Sequence, residues 1–265
     1  MQSDDAGTMS SVSATKVMVV VPTYNELENI QRLVPQLLDL DLGKGASLTV
    51  CVVDDNSPDG TGAYADQLAA ANARVAVVHR KSKLGLGTAY VAGMRYGLAQ
   101  GNDAILTMDA DFSHHPRYIP SMVAALPEAD LVIGSRYVPG GQVLYPLSRR
   151  LLSRGANMFA RFTLGLKAND CTAGFRLYRR RVLESIPLEQ IFSNGYSFLI
   201  EMFFEVQRRG WRVAEVPILF EDRRYGQSKI SRNEILKAVY TCSRLLARRL
   251  TRRQARANTV MSRSK

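Results

Sequence analysis

The stretch "ILTMDADFSHHP" sets Asp109 and Asp111 one residue apart at the end of an apolar run. Residues i and i+2 of a strand point to the same face, so the two carboxylates lie side by side. They repel unless a cation or another positive group sits between them. Three readings are open for such a pair: a hard divalent cation held through oxygen ligands, an acid/base couple, or a solvated loop. His114 and His115 follow at once, but with no second histidine cluster they read as loop residues rather than metal ligands. Comparable polar clusters close three other apolar runs: Tyr24-Asn25-Glu26, Asp54-Asp55 and Lys83-Leu84-Gly85. Four chance loops would not all be so polar on one edge, which weakens the solvated-loop reading.

The elements that must position these residues repeat one form. "KVMVVVPTYNELENIQRLVPQLLDL", "SLTVCVVDDNSPDGTGAYADQLAA", "RVAVVHRKSKLGLGTAYVAGMRYGLAQG" and "DAILTMDADFSHHPRYIPSMVAAL" each run from a continuous apolar strand through a polar turn into a helical pattern. Continuous apolar strands alternating with helices predict an α/β domain with a mostly parallel, doubly wound sheet covered on both faces. Such sheets bind ligands beyond the carboxyl ends of their strands. The common glycine cradles are missing. The turn after the first strand reads "PTYNELEN" where a dinucleotide fingerprint would need G-x-G-x-x-G, "GLGTAY" holds only a G-x-G, and no P-loop occurs.

Composition narrows the class further. A chain of 265 residues is long enough for one large domain with a full core. Residues 1–15 carry acids and small polar residues and read as a disordered lead-in rather than a signal peptide. No window approaches the roughly 20 unbroken apolar residues of a spanning helix. Cys51, Cys171 and Cys242 are widely spaced with no CxxC pair, which fits a reducing compartment and a cytoplasmic protein. Of the net +11 charge, nine basic residues and no acid lie from Ile235 onward, so residues 1–234 carry only +2. A nearly neutral body with no recognised nucleic-acid motif predicts no nucleic-acid partner.

The turns "PTYNE", "VVDDNSPDGT", "KLGLGTA" and "DAD", followed by "VIGSRYVPGG", "DCTAGFRLYRR", "GYSFLIEM" and "EVPILFEDRRYGQSKIS", occur in the order of a known family. Together they resemble glycosyltransferase family 2, and within it the dolichol-phosphate mannose synthase (polyprenol monophosphomannose synthase) group. The resemblance spans about residues 16–231. It implies a GT-A (Rossmann-like) fold, Mg²⁺ or Mn²⁺ as cofactor, and inverting transfer of mannose from GDP-mannose to a polyprenyl phosphate. It places the metal on Asp109 and Asp111, with Ser113 standing where the family commonly has a Gln as third ligand. Pro22, Tyr24, Glu26, Asp54, Asp55, Lys83 and Gly85 match positions lining the nucleotide-sugar pocket, together with Asp109. Arg136, Arg149, Arg223 and Lys229 match contacts to the diphosphate or the acceptor phosphate, chemistry that suits guanidinium and ammonium groups. Arg150 and Arg224 are alternative assignments. "PDGT" also reads as a turn and helix start, and Glu26 also as a first-turn acid favoured by the helix dipole.

A polyprenyl acceptor lives in a bilayer. In "NEILKAVYTCSRLLARRLTRRQAR" the residues Ile235, Val239, Cys242, Leu246 and Leu250 recur at helical spacing, with Lys237, Arg244 and Arg248 on another face. Residues 232–265 therefore read as a basic amphipathic helix and tail, either lying on a membrane surface or packed on the domain. "VLYPLSRRLLSRGANMFARFTLGL" has the same mixed character. Many relatives carry spanning helices after the catalytic domain, so a membrane-protein partner is an alternative anchor for a peripheral enzyme on the cytoplasmic face. Two rival functions remain: transfer of glucose or another sugar from a uridine nucleotide to the same lipid, and a non-enzymatic basic adaptor for membrane or nucleic acid.

Overall fold

The computed structural model describes residues 14–43, 45–144, 147–221 and 232–263, the side chains of 148, 232–235 and 252–263 apart. The chain runs through β1 (Thr15–Thr23), α1 (Leu27–Leu38), β2 (Ala46–Asp54), α2 (Thr61–Ala71), β3 (Val75–His79), α3 (Leu86–Ala99) and β4 (Ala104–Thr107). These are the strand–turn–helix units expected from the sequence. There follow α4 (Ile119–Ala124), β5 (Leu131–Ser135), β6 (Gln142–Leu144), α5 (Leu147–Leu164), β7 (Arg176–Arg179) and α6 (Arg180–Glu184). The chain closes with α7 (Tyr196–Arg208), β8 (Val213–Pro217), β9 (Leu219–Glu221) and α8 (Arg232–Arg263).

The main sheet has the order β3-β2-β1-β4-β7-β5-β8. All its pairings are parallel except those of β7, which is antiparallel to both β4 and β5. The reversal follows from the path of the chain. It leaves β5 at the carboxyl edge, passes through β6 and α5 there, and re-enters at that same edge, so β7 must run backwards. A short parallel pair, β6 with β9, stands apart from the main sheet.

The strands are apolar throughout because both faces are covered. Met18 and Val20 of β1 and Cys51 and Val53 of β2 face a cluster shared with α3, α7 and α8. Val17, Val19, Val21, Val50 and Val52 face the opposite cluster with α1 and α4. Alternation places successive residues on opposite faces, so a strand buried on both sides reads as an unbroken run. Helix α3 lies very close to the sheet: a Cβ at Gly93 would come 2.2 Å from Val20 Cγ1.

Helix α8 packs against α5 and α7 through buried Thr241, Cys242 and Leu245. This differs from the stripe expected from spacing alone. Leu246 is only partly buried and Val239 and Leu250 stay exposed, while the side chain of Ile235 lies outside the described residues. Apolar residues cover more of the helix than one stripe, so one side meets the protein and another remains bare. Among the described residues no helix is long and apolar enough to cross a membrane.

Candidate active site

All four polar turns lie at the carboxyl edge of β1, β2, β3 and β4, and each contains at least one residue in the left-handed region: Asn25 (φ 58°), Asn56 (φ 60°) with Gly60 (φ 89°), Gly85 (φ 99°) and Phe112 (φ 62°). Asparagine tolerates that conformation and glycine suits it. Phe112 does not, and such strain persists only where the surroundings over-determine it. It sits directly after the DAD, where the chain must turn sharply to keep both carboxylates on the sheet edge.

In the first two turns the sequence-predicted residues part ways. Asp54 is buried and used up locally: it accepts from the Ser57 N–H (3.1 Å), the Ser57 hydroxyl (2.5 Å) and the Thr23 hydroxyl (3.3 Å). It anchors its turn. Asp59 likewise caps α2, accepting from the Thr61 N–H and hydroxyl. Asp55 is different. Its Oδ1 lies 3.0 Å from Arg80 Nη1 in a close ion pair that is not aligned as a hydrogen bond, and both atoms are buried without another partner. Burial raises the Asp55 pKa against the pull of Arg80 and of the Leu84 N–H. A buried acceptor without a hydrogen bond is a place where a ligand N–H or hydroxyl would be welcome. Glu26 accepts from Asn29 Nδ2 (2.5 Å) and Pro22 is half-buried at the end of β1. The Lys83 ammonium rests 4.2 Å from the centre of the Tyr24 ring.

The carboxylate pair is held from beneath. The fully buried Tyr90 of α3 donates its hydroxyl to Asp109 Oδ1 at 2.6 Å, and burial, then Asp109 itself, holds the phenol pKa well above its usual value. The Asp109 N–H donates to His114 Nδ1 at 3.2 Å. His114 is buried between Phe175 and Phe220, and burial lowers its pKa, so it is a neutral ring with its Nδ1 lone pair occupied. It supports the motif rather than binding metal. Ser113 donates its hydroxyl (2.6 Å) and N–H (3.1 Å) to Asp111 Oδ1, so it orients that carboxylate. Asp109 remains partly open to the cavity. Both donors are hard carboxylate oxygens, and among the described residues no cluster of three or more His, Cys, Asp or Glu side chains forms. A cation such as Mg²⁺ or Mn²⁺, which keeps water and substrate phosphates as ligands, fits this donor set.

Arg136 lines the same cavity, though not as an unattached cation. Its Nε and Nη2 donate to the two oxygens of Asp170 at 2.7 and 2.8 Å, and Nη2 also reaches the Thr172 hydroxyl at 2.8 Å. Burial pushes the Asp170 pKa up, but the Arg136 charge and hydrogen bonds outweigh it and hold the carboxyl below the usual range. Asp170 is itself held by Glu215, which accepts from its N–H (3.0 Å). The Arg136 guanidinium is thus fixed in place, the condition for reading a planar anion. Arg149 enters the cavity from α5. Arg223 and Lys229 lie outside the described residues.

The cavity holds about 510 Å³ and joins two unlike regions. At one end are Asp109, Asp111, Arg136 and Arg149; the rest is an apolar channel between α5, α7 and α8. Leu151, Phe159, Tyr196 and Val239 line it and are also exposed, so the channel opens between the helices to the outside. Beyond the opening, α5 presents Leu147, Leu151, Met158 and Phe162 along one bare stripe, with Phe162 91% exposed.

The sequence matches the Glycosyl transferase family 2 model over residues 18–186, more than half of the chain. The chain belongs to glycosyl transferase family 2. Two curated relatives of this glycosyltransferase are similar over most of their length. It is 45% identical to the undecaprenyl-phosphate mannosyltransferase of Micrococcus luteus, covering 86% of this chain and 93% of that one. It is 46% identical to the polyprenol monophosphomannose synthase of Mycolicibacterium smegmatis, covering 85% and 84%. Among solved structures, glucosyl-3-phosphoglycerate synthase of Mycobacterium tuberculosis with Mn²⁺, UDP and glucosyl-3-phosphoglycerate superposes with a TM-score of 0.60 at 21% identity, covering 94% and 86%. The same synthase with Mg²⁺ and UDP gives 0.59 at 22%, covering 86% and 80%. The fold is the GT-A, Rossmann-like architecture of the family.

Sequence reasoning missed Tyr90, His114 as a support, Asp170 and the cavity-lining Ser153, whose hydroxyl is 2.9 Å from that of Tyr137. Asp170 sat inside a recognised motif, "DCTAGFRLYRR", but its charge partner is 34 residues away. Only the fold brings them together.

Proposed function

We propose that this glycosyltransferase moves mannose from GDP-mannose to a polyprenyl phosphate, with inversion at the sugar carbon, while resting on a membrane surface. The observation that carries the reading is the single cavity that runs from a carboxylate pair and two arginines into an apolar channel open between α5 and α8. A phosphate with a hydrocarbon chain has that polarity. The names of the two relatives at 45% and 46% identity support the same acceptor and sugar.

The nucleotide sugar lies over the strand-end turns, with Asp55 accepting from base or ribose and Pro22, Tyr24, Glu26, Lys83 and Gly85 around it. Asp109 and Asp111 hold Mg²⁺ or Mn²⁺, which supplies Lewis-acid neutralisation of the charge growing on the leaving diphosphate. Arg136 and Arg149 hold the acceptor phosphate, with Arg223 and Lys229 as further phosphate contacts. An acceptor phosphate oxygen forms the new bond to the sugar carbon as that carbon's bond to the nucleoside diphosphate breaks, and GDP leaves. The acceptor oxygen is already ionised near neutral pH, so no proton has to be removed. Orientation and charge stabilisation then do the catalysis. Neutral His114 and the high-pKa Tyr90 act by fixing Asp109. Residues 16–231 form the catalytic unit, and residues 232–265 the surface-binding helix and tail. The bare apolar stripes beside basic residues on α5 and α8 enter the headgroup region of the cytoplasmic leaflet.

The test is lipid extraction after incubating purified protein with Mg²⁺, a short polyprenyl phosphate, and labelled GDP-mannose or UDP-glucose. Label entering lipid from GDP-mannose, and lost on chelation, is the expected result. Transfer only from UDP-glucose would move the donor to a uridine nucleotide. Transfer from neither would reject the acceptor.

A further inference from the structure

Asn194 stands between the nucleotide-facing turns and the acceptor cavity, and it does not itself line that cavity. Its Nδ2 donates to the Leu84 carbonyl at 3.1 Å. Its Oδ1 accepts from the Gly87 N–H at 3.2 Å and from the Gly195 N–H at 2.9 Å. Two segments more than 100 residues apart are thereby sewn together. The approach depends on glycine: a Cβ at Gly85 would lie 2.3 Å from Asn194 Nδ2, and Gly85 itself has φ 99°.

Each segment has a second contact that points to a different substrate. On the first, the Leu84 N–H favours the charged form of Asp55 and the neighbouring Lys83 covers the Tyr24 ring. Two residues on, Leu86 lines the acceptor cavity. On the second, Gly195 leads directly into Tyr196, which lines the cavity from the other side. The Asn194 side chain therefore ties the Leu84–Gly87 segment, which flanks Asp55 and Tyr24, to residues 195–196 at the cavity wall.

We infer that Asn194 is a positioning residue through which a filled acceptor cavity tightens nucleotide binding. The inference rests on the reading of the two regions given under the proposed function. A chain packed against Leu86 and Tyr196 restrains residues 195–196, and Asn194 passes that restraint to the Leu84 peptide. The nucleotide then meets a loop already ordered and binds at a lower entropic cost. By linkage, bound nucleotide tightens the acceptor by the same factor.

Asn194→Asp separates this role from simple folding. The aspartate keeps oxygens for the Gly87 and Gly195 N–H groups, and its negative charge is favourable at the start of α7, which it precedes, and against the first turn of α3. It loses the donor to Leu84 and sets oxygen against oxygen there. Calorimetric titration would use whichever of GDP or UDP the wild type binds with Mg²⁺, with and without a short prenyl phosphate. The affinity ratio with and without acceptor is expected to be about 5-fold greater in the wild type than in Asn194→Asp, at a similar thermal midpoint. Asn194→Ala serves as the second variant and is expected to lose the coupling as well. Equal ratios in wild type and variants would overturn the inference while leaving the proposed function intact. If the wild type binds neither nucleotide, the functional reading itself fails, and this inference with it.

Discussion

The strand-end turns and the helical cavity meet at Asp109, yet they are made in opposite ways. The turns take much of their shape from neighbours in sequence: Asp54 bonds Ser57, Asp59 bonds Thr61, and Ser113 bonds Asp111, each within three residues. The cavity is made by distant partners: α5, α7 and α8 close on one another, and Asp170 reaches back to Arg136. The turns are polar and largely satisfied, whereas the cavity is apolar and opens to a bare surface. A local framework suits the recognition of a fixed polar ligand. An assembled, greasy channel suits a flexible hydrocarbon that must enter and leave.

Breaking the polar side is expected to have the largest effect. Asp109→Ala or Asp111→Ala should lower transfer by about 10³-fold in an extraction assay. The thermal midpoint should fall modestly, because relief of the repulsion is offset by a stranded buried donor, the Tyr90 hydroxyl in one variant and Ser113 in the other. Retained activity would separate the pair from the chemistry.

Breaking the joint between the regions comes next. Asp170→Asn strips a fully buried arginine partner and should cost about 3 kcal/mol in denaturant unfolding. The pH dependence carries a sign. The folded pKa of Asp170 is depressed, so its stabilisation is complete above the unfolded value near 4 and is lost as pH falls through the lower folded value. Wild-type stability should therefore drop below about pH 4, and the Asp170→Asn curve should be flatter there. Parallel curves would contradict the ion pair.

Breaking the apolar side should spare nucleotide binding. Phe162→Glu with Met158→Glu removes two bare side chains, each worth about 1.5–3 kcal/mol when buried, so co-sedimentation with anionic vesicles should fall more than about 10-fold. Transfer to a short, detergent-dispersed acceptor should persist. The smallest change is expected from Ala156→Trp at the cavity wall: a rise of about 10-fold in acceptor KM, the cost of misfitting a small hydrophobic site, with nucleotide affinity measured without acceptor unchanged. An altered nucleotide affinity in the absence of acceptor would blur the division between the two regions.

The same contrast explains what could be read from sequence. The four strand–turn–helix units were legible because a strand buried on both faces writes an unbroken apolar run, and the DAD because its spacing alone puts both carboxylates on one face. That Asp54 also anchors its own turn, through Ser57 and Thr23, was not legible, since two equal acids in a row do not reveal which one the turn uses. Tyr90 lay in an ordinary helical stretch, and nothing local ties it to a carboxylate 19 residues on. The reversal of β7 and the split faces of α8 depend on where the chain returns, which no short window records.

On the proposed function, one cavity receives the lipid phosphate beside the carboxylate pair. All three native cysteines are buried, with their thiol pKa values pushed up to about 12 for Cys51 and Cys171 and about 11 for Cys242, so they stay inert to mild alkylation. A cysteine introduced by Ala156→Cys, exposed on α5 and lining the cavity, would report occupancy by its rate of maleimide labelling. A short polyprenyl phosphate should slow that labelling strongly and the matching prenyl alcohol much less. Equal labelling with and without the phosphate, at concentrations that support transfer, would contradict the account.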